Sequence, residues 1–248
     1  MLRPCLLFLL ATLLPAAAPA APQLTRSLDP PLLAFYVPPP LPARPPARWR
    51  LALAFDYASV FQVEGPDEAG TVVDLELARL ALHAGRRLGP RLALDLELPW
   101  IATTGGFLDD FVNGWHRTFH LPDGGRPQAP SNRHLYRVRV GGRTLLEERA
   151  GSAGLGDAAA TLTWLARDRP AGRLALRLGV KAPTAGPRFG PRGSGGWDLA
   201  AGAVVEATRG PWSAALHLAA VVPTGVPELA TRPYAAGLLH LAWRATPR

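Results

Sequence analysis

Residues 91–100, RLALDLELPW, decide the fold. Leu92, Leu94, Leu96, Leu98 and Trp100 fall on one parity, and Arg91, Ala93, Asp95 and Glu97 on the other. Successive strand side chains point to opposite faces, so the stretch predicts a strand with one bulky apolar face and one small or charged face.

The same alternation recurs on both sides of it. Upstream, Leu51, Leu53, Phe55, Tyr57, Phe61 and Val63 oppose Arg50, Ala52, Ala54, Asp56, Ala58 and Gln62. After a turn at Gly65–Gly70, Val73, Leu75 and Leu77 oppose Asp74 and Glu76. The phase blurs at Arg79, where a bulge or the end of the apolar band is expected, and Gly85–Pro90 reads as the next turn. Downstream, Leu162 and Trp164 alternate with Asp157, Thr161 and Thr163. Leu174, Leu176, Leu178 and Val180 alternate with Arg173, Arg177 and Lys181. Further strands are carried by Trp197, Leu199 and Val205, by Trp212, Leu216, Leu218 and Val222, and by Leu239, Leu241 and Trp243.

These make about eight strands of roughly 12–14 residues. Globular strands run to about 5–6 residues, whereas a tilted strand crossing a bilayer needs about 9–11. Trp49, Trp100, Trp197, Trp212, Tyr234 and Trp243 sit at strand ends, as interfacial aromatic girdles do. Connections at 85–90, 168–172 and 208–211 are short, while those at 102–153, 183–196 and 223–233 are long. Periplasmic turns and extracellular loops alternate in that way. The expected fold is therefore all-β: an antiparallel transmembrane β-barrel, closed or incomplete, with a short helix in a long extracellular loop. A soluble sandwich or lipocalin-like barrel would need a polar outward face, and one parity here is leucine-rich on nearly every strand.

The ends of the chain fit export. Arg3, the apolar run Leu6–Leu14 and Ala18-Pro19-Ala20 read as a signal peptide over residues 1–20. The one cysteine, Cys5, lies inside it, so the mature chain carries no disulfide, Cys-zinc site or thiol chemistry. Residues 21–48 hold nine prolines and read as an extended lead-in, a plain tether to the barrel over 49–248. The net charge of +8 invites a nucleic-acid partner. That partner is rejected: the arginines are scattered, and a single lysine and a single isoleucine point to coding bias instead.

Two sets of residues are candidates for function. In GGFLDDFVNGWHRTFHLPDGGR, residues 105–126, the side chains Phe107, Phe111, Trp115 and Phe119 recur every four residues. They form one face of a short amphipathic helix, with Asp109 and Asp110 in its first turn and Leu121-Pro122 at its stop. With His116 and Arg126 they are ligand or gate candidates, in a helix that plugs the lumen or lies on the rim. His116 and His120 are spaced for one metal, but the helix lacks the glutamate of a metalloprotease motif, and no metal or cofactor is expected. A hairpin follows at Gly141-Gly142, within a projection spanning 102–153. The second set faces the lumen: Asp56, Asp74, Glu76, Asp95 and Glu97 as an acidic wall, and Arg173, Arg177 and Lys181 as a basic one. Such walls make a charge-separated pore or a cross-lumen salt-bridge network.

The block from Gly105 to Arg126, followed by SNRHLYRV and by GLGD at Gly154–Asp157, resembles a bacterial family defined only as domain of unknown function 3187. Its members look like outer-membrane β-barrels of Gram-negative bacteria. The resemblance spans roughly residues 48–245 and implies no activity. Family members look longer and such barrels end on an aromatic residue, so Arg244–Arg248 favours truncation of a larger barrel.

The expected role is a channel or passive transporter for a small polar solute in the bacterial outer membrane, and not an enzyme. Outer-membrane lipid, periplasmic chaperones and the barrel-assembly machinery are the implied partners. One alternative is a structural or partner-binding barrel that uses the loop at 105–132. Another is a membrane-embedded hydrolase using Ser131 and His116.

Overall fold

The computed structural model describes residues 26–30, 32–66, 69–226, 229 and 231–244. The expected signal peptide and the first five residues of the lead-in lie outside them. Among the described residues the chain is mostly β, an antiparallel sheet curled into a half-barrel. None of the described helices is long and apolar enough to cross a membrane.

The elements run β1 (Trp49–Glu64), β2 (Thr71–Gly89), β3 (Leu92–Thr104), helix α1 (Asp109–Phe119), β4 (Leu135–Val140), β5 (Arg143–Glu148), β6 (Ser152–Leu155), β7 (Ala158–Arg169), β8 (Gly172–Ala182), β9 (Asp198–Arg209), β10 (Trp212–Pro223) and β11 (Tyr234–Trp243). The long strands lie side by side in the order β1-β2-β3-β7-β8-β9-β10-β11. Three short strands complete the eleven. β4 pairs with β2 beyond the end of β3, β5 pairs with β4, and β6 lies along β3. The β4–β5 turn is Gly141-Gly142, with φ of 55° and 78°. Positive values at both positions are what the type I′ turn expected there requires.

One turn differs from expectation. β2 runs through Gly85 as far as Gly89, so the turn contracts to Pro90 and Arg91. Gly85 is a strand residue for reasons of space. It pairs with Arg50 on one side and Asp95 on the other, and those two side chains join above it in an ion pair. A Cβ at Gly85 would stand 2.2 Å from the Asp95 carboxylate.

The ladder between β1 and β2 is unbroken from Trp49↔Arg86 to Glu64↔Thr71. The blurred phase at Arg79 is therefore no bulge in that pairing. Polarity instead changes sides along β2. From Arg79 downward, Leu80 and Leu82 lie exposed on the convex face, while Arg79, Ala81 and His83 are buried on the concave face. Above it, Val73, Leu75 and Leu77 are the concave residues. They pack with Ile101, Tyr136, Val138 and the lead-in residues Leu28 and Leu33 into the largest apolar cluster among the described residues.

Leucine, tryptophan and phenylalanine cover the convex face on every long strand. Leu51, Phe55, Leu82, Leu98, Trp164, Leu178, Leu199, Leu218 and Leu241 are all exposed there, Leu51 at 71% and Leu178 at 62%. Scattered exposed leucines are ordinary in a soluble protein, but a continuous band across a whole sheet marks a surface made for an apolar neighbour.

Candidate functional site

The concave face holds two things: rows of ion pairs and the lead-in itself. The lead-in makes one 3-10 turn at Leu32–Ala34, a departure from the fully extended chain expected, and from Tyr36 to Pro46 it runs without helix or strand, as its prolines dictate, but it is no free tether. Tyr36, Leu41 and Ala43 are almost wholly buried against the sheet. Proline supplies carbonyls without N–H groups, so such a segment needs donors from its surroundings. Arg177 provides them, donating to the carbonyls of Pro39, Leu41 and Pro42. Two of the segment's N–H groups find carboxylates: Tyr36 N donates to Asp198 at 2.8 Å and Ala43 N to Glu206 at 2.7 Å. The Tyr36 hydroxyl bonds Thr161 at 2.9 Å, and the Tyr234 hydroxyl donates to the Tyr36 carbonyl. Burial lifts the Tyr36 phenol to about 12, so the hydroxyl stays protonated. Gly179 makes the room, because a Cβ there would sit 2.5 Å from the Tyr36 oxygen.

Between this segment and β8–β11 a cavity of about 580 Å³ remains, lined by Tyr36, Pro38–Pro40, Arg177, His217, Tyr234 and Leu238 among others.

The expected walls of opposite charge are not built. Asp56, Asp95, Glu97, Arg173, Arg177 and Lys181 lie on the concave face, but the ion pairs are local, and Arg177 meets backbone carbonyls and His217 instead of a carboxylate. Arg79 binds both Asp56 and Glu97, and Arg50 binds Asp95. Arg173 binds Glu206 and Asp168, and Lys181 binds Asp157 at 2.6 Å with Asp198 at 3.4 Å. Lys181 also donates to the Ser194 hydroxyl and the Gly196 carbonyl, while Asp157 accepts from the N–H groups of Ala185 and Ser194. The aspartate of GLGD therefore pins the 183–196 loop to the rim of the sheet.

Asp74 and Glu76 are corrections. They lie on the convex face, on the same side as Ser59 and Phe61 with which they pair. Both are buried because the projection covers them. Arg133 binds Asp74 at 2.7 Å. Glu76 accepts from the Tyr57 hydroxyl and from the N–H groups of Phe107 and Leu108, the two residues that lead into α1. A carboxylate placed there satisfies amide donors that a helix start leaves unpaired.

Two more candidates are anchors. Asp109 and Arg126 form a buried ion pair at 2.6 Å. Arg126 also donates to Ser59 on β1, and Asp109 accepts the Asn132 N–H. The helix thus rests on the convex side of β1 and β2 at the end of the sheet, and not on the concave face. Asp109, Val112, Asn113 and His116 are its less exposed residues. The aromatic stripe turns away: Phe107 is 72% exposed, Phe111 65%, Trp115 50% and Phe119 54%. Asp110 is exposed on another side. His120 caps the helix in the left-handed region with φ 53°. Among the described residues no hydrogen bond joins His116 to Ser131, and no three His, Cys, Asp or Glu side chains cluster as a metal site.

Fold and site together define an antiparallel half-barrel, apolar outside, internally ion-paired and occupied by its own N-terminal segment. The chain belongs to the family described as protein of unknown function (DUF3187), whose model matches residues 38–224. The match begins inside the threaded segment, upstream of the boundary expected near residue 48, and ends before β11. No curated protein matches the chain.

Proposed function

We propose that the protein is an outer-membrane β-barrel that passes small polar solutes, with residues 26–46 narrowing its interior. The convex apolar band carries the membrane part of this reading. It faces outward from every long strand, while the ionised groups of β1, β3, β8 and β9 gather on the concave side. Lipid is the neighbour that such a band fits, because charged side chains on a lipid face are costly and lumen-facing ones are not. The solute part rests on the concave face, where arginine, histidine and carboxylate side chains surround the threaded segment. Planar-bilayer recordings test it. Discrete conductance is expected from the full chain, rising when Arg177→Ala removes the donors that hold residues 39–42. Silence from both proteins would remove the channel.

One observation favours a second reading. The concave carboxylates are paired locally and the segment fills much of the space, as in a closed barrel that binds a partner through its projection. That protein would insert into bilayers and conduct nothing.

A further inference from the structure

We infer that α1 is a membrane-interface anchor, its aromatic stripe sunk into the boundary between lipid headgroups and acyl chains beside the barrel. The inference rests on the membrane reading above and adds a partner for a surface that the barrel itself does not use.

An amphipathic helix on a globular protein ordinarily turns its apolar stripe inward. Here the orientation is reversed and held so. The buried Asp109–Arg126 pair, the Arg126–Ser59 bond and the Glu76 carboxylate at Phe107 and Leu108 fix the start of the helix on the sheet by polar contacts. The side that meets the protein carries Asp109, Asn113 and His116, and the exposed stripe of Phe111, Trp115 and Phe119 lies about a third of a turn around from it.

The exposed stripe does not stand alone. Phe55 on the convex band stacks on Tyr57 at 6.5 Å, and Tyr57 meets Phe107 at 6.1 Å. Phe111, Trp115 and Phe119 continue at 6.2 Å and 4.3 Å. The aromatic surface of the helix therefore extends the band of the barrel. Aromatic rings at the ends of the apolar belt sit at headgroup level, and helices of this pattern lie in the interface plane. Over its eleven residues α1 is about 16 Å long, enough to lay this row of rings flat along the bilayer surface.

The test uses single-cysteine labelling, since Cys5 lies in the expected signal and the mature chain offers no competing thiol. Phe111→Cys and Trp115→Cys place an environment-sensitive fluorophore on the stripe. Arg117→Cys places it on the other side of the helix, and Leu178→Cys on the convex band. Each protein is reconstituted in vesicles of phosphatidylethanolamine and phosphatidylglycerol carrying spin-labelled lipids, shallow or deep in the acyl chain. The expected result is loss of emission at positions 111 and 115 with the shallow label, at 178 with the deep label, and little loss at 117. Quenching at 178 with none at 111 and 115 overturns the anchor and leaves the membrane reading standing. Equal quenching at 111, 115 and 117 also overturns it, because an oriented helix cannot produce that. No quenching at any site overturns the membrane reading, and the anchor with it.

Discussion

Gly179→Ala should loosen the threaded segment without disturbing the sheet. Gly179 lies in β8 between Leu178 and Val180, and its backbone is one that alanine adopts freely. The added methyl would stand 2.5, 2.7 and 3.0 Å from the oxygen, Cε1 and Cζ of Tyr36. The ring must shift. Its hydrogen bond to Thr161 is disturbed, and the displacement strains the Tyr36 N–H bond to Asp198. Adding a methyl to a filled site costs about 1–3 kcal/mol, and Tyr36 is 1% exposed. At about 1.4 kcal/mol per tenfold change, the open form of the segment should gain roughly one to two orders of magnitude in population. Chymotrypsin reads that population through cleavage after Phe35 and Tyr36, which the packed segment protects. Cleavage of reconstituted protein should accelerate by a comparable factor while the strand signal in circular dichroism stays unchanged. If the alanine variant were cut no faster than the parent, Tyr36 would not be held where the packing places it, and the account of the interior would fail.

Other outcomes test separate parts. Leu178→Arg, at a convex position 62% exposed, should destabilise the protein in lipid by about 2–4 kcal/mol in urea titration if the band sits at mid-bilayer; no change would remove lipid from that face. Arg126→Met leaves the buried Asp109 without its cation, and breaking such a pair costs about 3–5 kcal/mol. Hydrogen exchange should then rise in α1 and at the Asn132 amide while β8–β10 keep their protection. His134 lies buried in the projection against Thr103, and burial, outweighing the nearby Asp74 carboxylate, holds its pKa below the ordinary value. A histidine kept neutral in the fold takes up a proton first when unfolded. Its contribution is therefore complete above about pH 6.5 and is lost as pH falls through that value. Proteolysis of the β4–β5 hairpin should quicken between pH 7.5 and 5.5, and His134→Gln should flatten that dependence.

The strands were legible because a period of two survives any tertiary context that keeps one face apolar. RLALDLELPW became β3 with Leu96, Leu98 and Trp100 exposed on the convex side. The four-residue spacing likewise became α1 for Phe111, Trp115 and Phe119, while Phe107 lies two residues before the helix begins. Asp74 and Glu76 were misplaced by the same logic. Parity fixes which residues share a face, but not what covers that face, and β2 extends past the apolar band to a level where the projection lies outside and the lead-in inside. A glycine placed for space and one placed for a bend look alike in sequence, so Gly85 reads as a turn although it lies within β2. The threaded segment was hidden more completely. Proline-rich chain has no periodicity, and its demand for donors is met by Arg177, Asp198 and Glu206, which lie between 135 and 163 residues away. Arg126 stood among the candidates as a ligand residue, and only its burial with Asp109 reveals an anchor.

The same distances bear on how the molecule is made. Tyr36 reaches Thr161 across 125 residues, Asp198 across 162 and Tyr234 across 198. Contacts so remote form slowly, because loop closure must precede them. The segment comes before every strand in the chain, yet its seat exists only once β7, β9 and β11 stand side by side. Seating is therefore a late step of folding, and a partly assembled sheet presents an open groove in which Arg177 lacks the carbonyls of Pro39, Leu41 and Pro42. The prolines guard that interval: six of the nine residues from Pro38 to Pro46 lack an N–H, so the waiting segment cannot add itself as a strand to β1 or β11, each paired on one side only among the described residues.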